Sequence, residues 1–220
     1  PEQAVNWDWM IEKIQKANRE IKVLNLFAYT GGATVACSYA GAQVCHVDSS
    51  KGMVAWAKEN IQASGLQDRP VRYIVDDVIK FVNREIRRGN KYDAIIMDPP
   101  SYGRGANGEV WKFEENLPEL VNLCAQVLSD KPLFFLINSY TTGISSKVLE
   151  DILNLSILEL ERALDTSSAK KQSLYVQLKK YIEHSTELRS FLGTTKIVPE
   201  EEIERYVAQY SSSNKEKKYF

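Results

Sequence analysis

Tyr92-Asp93-Ala94-Ile95-Ile96-Met97-Asp98-Pro99-Pro100-Ser101-Tyr102 is the stretch on whose reading the fold depends. Its first half is an apolar run of the kind carried by a strand buried on both faces of a parallel sheet. Two consecutive prolines stop the strand and hold the backbone extended. The Asp98 carboxylate is thereby fixed at the carboxyl end of a strand, with the Tyr102 ring close behind it. In open α/β sheets, ligands bind at that edge. Taken alone, the stretch reads equally well as a strand terminator with a surface carboxylate.

Upstream, Ile21-Lys22-Val23-Leu24-Asn25-Leu26-Phe27 is a second apolar run. It passes through Ala28-Tyr29-Thr30-Gly31-Gly32-Ala33 into a segment suited to a helix. A strand, a glycine turn and a helix N-terminus form a backbone cradle for a nucleotide-like ligand. The turn is not Gly-x-Gly-x-x-Gly, so the dinucleotide fingerprint fails. The alternative is a tight turn that merely needs glycine. Gln43 to Asp48 gives a further strand ending on an acid, 17 positions after Gly31 (48 − 31), near where a βαβ nucleotide fold presents a carboxylate to ribose hydroxyls. After a helix over residues 50–64, Val71 to Val75 runs into Asp76-Asp77. Either aspartate can cap a helix beginning at Val78.

These strand ends carry a resemblance. Residues 23–153 resemble the ribosomal RNA large-subunit methyltransferases, class I enzymes that use S-adenosylmethionine. The matching residues are Leu26-Phe27-Ala28-Tyr29-Thr30-Gly31-Gly32-Ala33, Val47-Asp48-Ser49-Ser50-Lys51, Val75-Asp76-Asp77-Val78 and Met97-Asp98-Pro99-Pro100-Ser101-Tyr102-Gly103. A branch of the family is marked by Asn138-Ser139-Tyr140-Thr141-Thr142-Gly143, and Pro1-Glu2-Gln3 also resembles it. The resemblance implies that S-adenosyl-L-methionine is held by Gln3, folding over it, by Phe27, and by Tyr29, Thr30, Gly31 and Gly32 at its methionine part. Asp48 would hold its ribose, Ser49 would also contact the cofactor, and Asp76 or Asp77 would hold its adenine, Asp77 matching the family position better. Asp98 would face both the cofactor and the acceptor, and Tyr102 would stack on a target base. The implied partner is ribosomal RNA as substrate.

One departure bears on mechanism. Cytosine 5-methyltransferases attack the ring with a cysteine thiolate, and in this family that cysteine follows the fifth strand. Here the equivalent strand, Leu133 to Asn138, leads to Ser139, and no cysteine follows Asp98-Pro99-Pro100. Cys37, Cys45 and Cys124 read as small core residues. Transfer to a nitrogen or oxygen is expected, with nitrogen favoured.

Composition bounds the rest. With 28 basic and 29 acidic residues among 220, the chain has no global attraction to nucleic acid. Arg84-Glu85-Ile86-Arg87-Arg88, with Arg104, is a candidate basic patch, and a solvated helix end is the plainer reading of the first group. Three cysteines without metal-ligand spacing argue against a disulfide framework or a zinc site. No run approaches the ~20 apolar residues of a membrane span, and no signal peptide opens the sequence. A cytoplasmic enzyme without a membrane partner is expected.

Three regions are expected: residues 1–21 as an N-terminal cap and helix cut from a longer protein, 22–155 as the catalytic domain, and 156–220 as a mostly helical segment. Trp7 and Trp9 are lid residues over the cofactor or, preferably, anchors of the first helix. The last region has near-helical spacing of Leu174, Leu178, Tyr181, Ile182 and Leu188, and a helix start at Pro199. It reads as a branch-specific appendage, a fused segment, or a diverged form of the antiparallel hairpin that closes the family's sheet. The expected fold is a doubly wound, mainly parallel α/β sheet with strands near 22–27, 43–48, 71–76, 92–98 and 133–139. Methyl transfer to a ribosomal RNA base is the leading function. A non-catalytic binding scaffold and a nicotinamide-dependent oxidoreductase are the alternatives.

Overall fold

The computed structural model describes residues 3–104, 108, 110–138 and 194–196. Helix α1 (Ala4–Lys16) leads into β1 (Lys22–Leu26), α2 (Gly32–Tyr39), β2 (Gln43–Asp48), α3 (Lys51–Ala63), β3 (Val71–Val75), α4 (Val78–Arg88) and β4 (Ala94–Met97). A small ribbon, β5 (Tyr102–Arg104) and β6 (Val110–Lys112), precedes α5 (Phe113–Gln126) and β7 (Phe134–Asn138). The last described element is β8 (Thr194–Lys196).

The main sheet has the order β3-β2-β1-β4-β7-β8. Its first five strands pair in parallel, as expected of a doubly wound α/β fold. Strand order reverses between β1 and β4, so a crevice opens at their carboxyl ends. The glycine turn leaves β1 and the Asp98-Pro99-Pro100 turn leaves β4 at that crevice.

Side chains alternate along each strand and feed two cores. On one face, Trp9, Met10 and Ile14 of α1 pack with Val23, Val44, Ala94, Ile96, Phe134 and Leu136. On the other, Phe81 and Val82 of α4 and Leu117, Leu120 and Val121 of α5 cover Leu24, Leu26, Ile95, Met97, Phe135 and Ile137. Burial on both faces is why the central strands read as unbroken apolar runs. Trp9 is fully enclosed and tilts against Phe134 with ring centroids 5.0 Å apart, so it is an anchor of α1.

Several boundaries differ from the sequence reading. β4 begins at Ala94 rather than residue 92, because Tyr92 bridges to Leu128. Asp93 is drawn aside by Arg19 (2.8 Å), Ser129 (2.7 Å) and the backbone N–H of Lys22 (2.9 Å). The β5–β6 ribbon was not foreseen. Residues 194–196, within the segment expected to be mostly helical, form a strand antiparallel to β7, pairing Leu136 with Lys196 and Asn138 with Thr194. Backbone pairing to the open edge of β7 prevails there over a weak local pattern. The remaining expectations for 156–220, and those for Ser139 to Gly143, lie outside the described residues.

Candidate active site

The glycine turn is held in an uncommon conformation. Phe27, Tyr29 and Gly31, alternate residues, have φ of 52°, 49° and 85°. Left-handed non-glycine residues cost on the order of 1–3 kcal/mol each and persist only where the surroundings hold them. The holding contacts are specific. The Ala28 N–H donates to the Val47 carbonyl (3.1 Å), and the Tyr29 N–H donates to Asp48 Oδ2 (2.9 Å). Asn60 Nδ2 donates to the Thr30 carbonyl (2.8 Å). Glycine is required at two places. A Cβ on Gly31 would lie 2.9 Å from Ala57 Cβ, and one on Gly32 would lie 2.7 Å from Trp7 Cζ2.

Asp48 ties two turns together, since its Oδ1 also accepts from the Ser50 N–H (2.8 Å). Each of its oxygens keeps a further lone pair, which leaves the carboxylate able to receive a diol.

A cleft of about 220 Å³ lies in front of the turn, lined among others by Gln3, Trp7, Asn25, Tyr29, Asp98 and Asn138. Phe27, Thr30, Gly31 and Gly32 also line it. Asn6 Nδ2 donates to Gln3 Oε1 (2.6 Å) and to Asn138 Oδ1 (3.2 Å), fastening the start of α1 to the end of β7. Trp7 therefore belongs to the cleft wall, while Trp9 is the anchor. Beneath the turn, Asn25 Nδ2 donates to Thr34 Oγ1 (3.0 Å), which contacts His46 Nδ1 at 2.9 Å. Burial holds the His46 imidazole down at about 4, against a smaller upward pull from Asp48.

A second hollow, about 80 Å³, is lined by Phe27, Ser49, Asp77, Val78, Pro100, Gly103, Arg104 and Trp111. Phe27 borders both spaces, and its ring meets Trp111 edge-on at 4.7 Å. Asp77 caps α4 by accepting from the Lys80 N–H (2.9 Å). Asp76 borders neither of these spaces: it accepts from the Asp77 N–H (2.9 Å) and pairs with Arg84. Tyr102 is about half exposed on β5, outside both spaces, and its hydroxyl accepts from Arg104 Nε (3.0 Å).

The basic cluster on α4 is largely committed within the protein. Arg84 pairs with Asp76, and Arg88 (3.0 Å) and Arg72 (3.6 Å) flank the fully buried Glu85 carboxylate. Burial raises the Glu85 pKa, but hydrogen bonds from Tyr92, Asn90 and Arg88 and the charge of Arg72 outweigh it, leaving the carboxyl below its usual range. Arg87 and Arg88 lie in the last turn of α4, where the helix-end reading puts them, whereas Arg84 is turned to Asp76. All three cysteines are buried, and desolvation pushes the Cys37 thiol up to about 12 and Cys45 up to about 11. None is poised as a nucleophile.

Sequence reasoning missed Asn25 in the cleft wall and Trp111 in the hollow, and for Trp7 it preferred the anchor over the lid, which the cleft wall reverses. Asn25 did leave a signal, an amide inside an otherwise apolar run. Among the described residues, no helix is long and apolar enough to cross a membrane.

Comparison with known proteins agrees with this geometry. A family model described as S-adenosylmethionine-dependent methyltransferase matches residues 5–145. The ribosomal RNA large subunit methyltransferase I of Klebsiella pneumoniae is 36% identical over 104 residues, covering 47% of this chain and 23% of that protein. The chain thus spans about a quarter of the length of the curated relatives it matches. A SAM-dependent methyltransferase structure from Agrobacterium tumefaciens is 43% identical, with a TM-score of 0.70 over 71% of this chain and 50% of that one. A magnesium protoporphyrin IX methyltransferase from Synechocystis with bound SAM shares the fold alone, at 17% identity and a TM-score of 0.53 over 70% of this chain and 67% of that one. With its glycine turn, strand-end acids and Asp-Pro-Pro turn gathered at one sheet edge, the chain belongs to the S-adenosylmethionine-dependent methyltransferases, whose cofactor is S-adenosyl-L-methionine.

Proposed function

We propose that this protein methylates a nitrogen on a base of ribosomal RNA, acting in the cytoplasm. The observation that carries the reading is a convergence. The glycine turn and the Asp98 carboxylate meet at the crevice where the strand order reverses, and Tyr102 stands half exposed outside it. The relationship to a ribosomal RNA methyltransferase supports the choice of substrate class.

The residues present fit the cofactor. Two spaces meeting at Phe27 match a ligand with an amino-acid arm and a nucleoside arm. The cleft walled by Gln3, Asn25, Thr30, Gly31 and Gly32 would take the methionine part, and the two glycines let the turn pack closely against Ala57 and Trp7, where a Cβ would collide. Asp48, with Ser49, would hold the ribose, and Asp77 beside Phe27 and Trp111 would face the adenine. Asp76, turned to Arg84, would act only by setting Asp77. When bound, S-adenosylmethionine supplies a methyl group already activated on a sulfonium sulfur.

The remaining work is alignment. Asp98, held by the rigid Pro99-Pro100 turn, would accept a hydrogen bond from an amine nitrogen and fix its lone pair along the transfer axis. Tyr102 would stack on the base. No thiol takes part, since each cysteine is buried.

Isothermal titration with S-adenosylmethionine, followed by transfer of labelled methyl groups to ribosomal RNA fragments, tests the proposal. Saturable binding with base methylation on nitrogen is expected. Binding without transfer to any ribosomal RNA fragment would overturn the substrate assignment, and absence of binding would overturn the whole reading.

A further inference from the structure

The β5–β6 ribbon has two faces of opposite character. Its register pairs Tyr102 with Lys112, Gly103 with Trp111 and Arg104 with Val110. Because side chains alternate, Tyr102, Arg104, Val110 and Lys112 share one face. All four are exposed, Tyr102 by 53% and Val110 by 48%. The other face carries only Gly103 and Trp111.

Trp111 is the fastener. It is buried, its Nε1 donates to the Pro100 carbonyl at 2.7 Å, and its ring abuts Phe27 on the glycine turn. The ribbon is therefore clamped to both turns of the crevice, and its outer face is held beside Asp98 at a fixed attitude. A free surface loop would have no need of such a clamp.

The outer face combines one aromatic ring, one aliphatic side chain and two cations, with no carboxylate among the four. Arg104 Nε spends one donor on the Tyr102 hydroxyl, which orients the ring. Among the described residues its Nη groups meet no acceptor. Lys112 contacts Glu115 at 2.8 Å in a solvent-exposed pair, and exposed pairs are weak enough to yield to a phosphate. An aromatic platform flanked by cations matches an unpaired nucleotide chain, in which bases stack on rings and phosphates pair with Arg and Lys. It does not match duplex RNA, whose bases are already stacked.

Resting on the RNA reading above, we infer that this ribbon face grips an unpaired RNA segment next to the target base. Tyr102 stacks on the target base, and Arg104 and Lys112 take phosphates of the unpaired segment beside it. The substrate is thus a loop, bulge or single strand. The ribbon supplies local positive charge in a chain of nearly balanced net charge.

Fluorescence anisotropy of the 220-residue chain with a short unpaired oligoribonucleotide and a duplex of equal length tests this. The unpaired probe is expected to bind more tightly. The Arg104→Ala/Lys112→Ala double variant should lose about tenfold in affinity, and its salt slope should flatten by about 1.4, at about 0.7 per phosphate contact on single strands. In Lys112→Ala alone, whose side chain borders neither cofactor space, the slope should flatten by about 0.7 while cofactor affinity and melting temperature stay unchanged. An unchanged slope in the double variant, or equal binding of the duplex, would overturn the ribbon's role and leave the RNA reading standing. A wild-type chain that binds neither probe would overturn both.

Discussion

Trp7 lies directly over Gly32: a Cβ added to that glycine would sit 2.7 Å from Trp7 Cζ2 and 3.3 Å from Cη2. The indole of the first helix and the backbone of the glycine turn thus define one wall of the cleft between them. A Gly32→Ala substitution must displace the indole, because the opposing atoms belong to a rigid ring rather than to a flexible side-chain end. Cofactor affinity is expected to fall by about tenfold, or 1.4 kcal/mol. Trp7→Ala/Gly32→Ala should recover part of the loss, since the double change removes the clash. Calorimetry on Gly32→Ala, Trp7→Ala and the double variant checks this, and purely additive losses would count against a shared wall.

Asp48 holds Tyr29 in its left-handed conformation through a 2.9 Å hydrogen bond from the Tyr29 N–H. Asp48→Ala leaves the exposed N–H groups of Tyr29 and Ser50 to water, so the turn loses the contacts that hold it rather than burying unpaired donors. Binding of S-adenosylmethionine should weaken by roughly a hundredfold, because the turn loosens as the ribose partner is lost. Asp48→Asn keeps one acceptor oxygen and should fall between. Titration calorimetry would show that order, and an asparagine variant equal to the wild type would argue against both roles.

Asp98 and the cysteines separate two chemistries. Asp98→Ala should lower methyl transfer by about 10²-fold or more while changing cofactor affinity little, as expected for a group that orients the acceptor. Cys37→Ala, Cys45→Ala and Cys124→Ala should keep turnover apart from modest packing losses. Single-turnover transfer from labelled cofactor is the measurement. A covalent adduct between any of these cysteines and a 5-fluorocytosine RNA would reverse the assignment.

The parallel strands were legible because burial on both faces writes an apolar run, as in Ala94 to Met97. The strand-end acids were legible because punctuation by Gly31, Asp48 and Asp98 marks the carboxyl edge. What escaped was made by contacts distant in sequence. Trp111 reaches Pro100 and Phe27 only once β6 folds back on β5, and three-residue strands such as β5, β6 and β8 are too short to display a period. Asp76 and Asp77 look alike as neighbours. Only the start of α4 and the position of Arg84 turn one toward the hollow and the other away.

His46 ties stability to pH. It is fully buried, and its Nδ1 contacts a Thr34 hydroxyl that already accepts from Asn25. The hydroxyl therefore donates to Nδ1, an assignment made from the network, which leaves the imidazole neutral with its hydrogen on Nε2. Among the described residues that Nε2 has no partner. Burial lowers the imidazole from 6.5 to about 4, so between those values the unfolded chain binds the proton that the folded one refuses. Stability from this group is complete above pH 6.5, declines as the pH falls, and is lost near pH 4. The loss amounts to about 3 kcal/mol at 1.36 kcal/mol per unit. Denaturant unfolding between pH 7 and 4 should show that decline, and His46→Gln should flatten it. Should the variant fold poorly, the wild type still decides the matter, because the chain has only two histidines to assign by NMR. A His46 imidazole titrating near 6.5 in the folded protein would overturn the prediction.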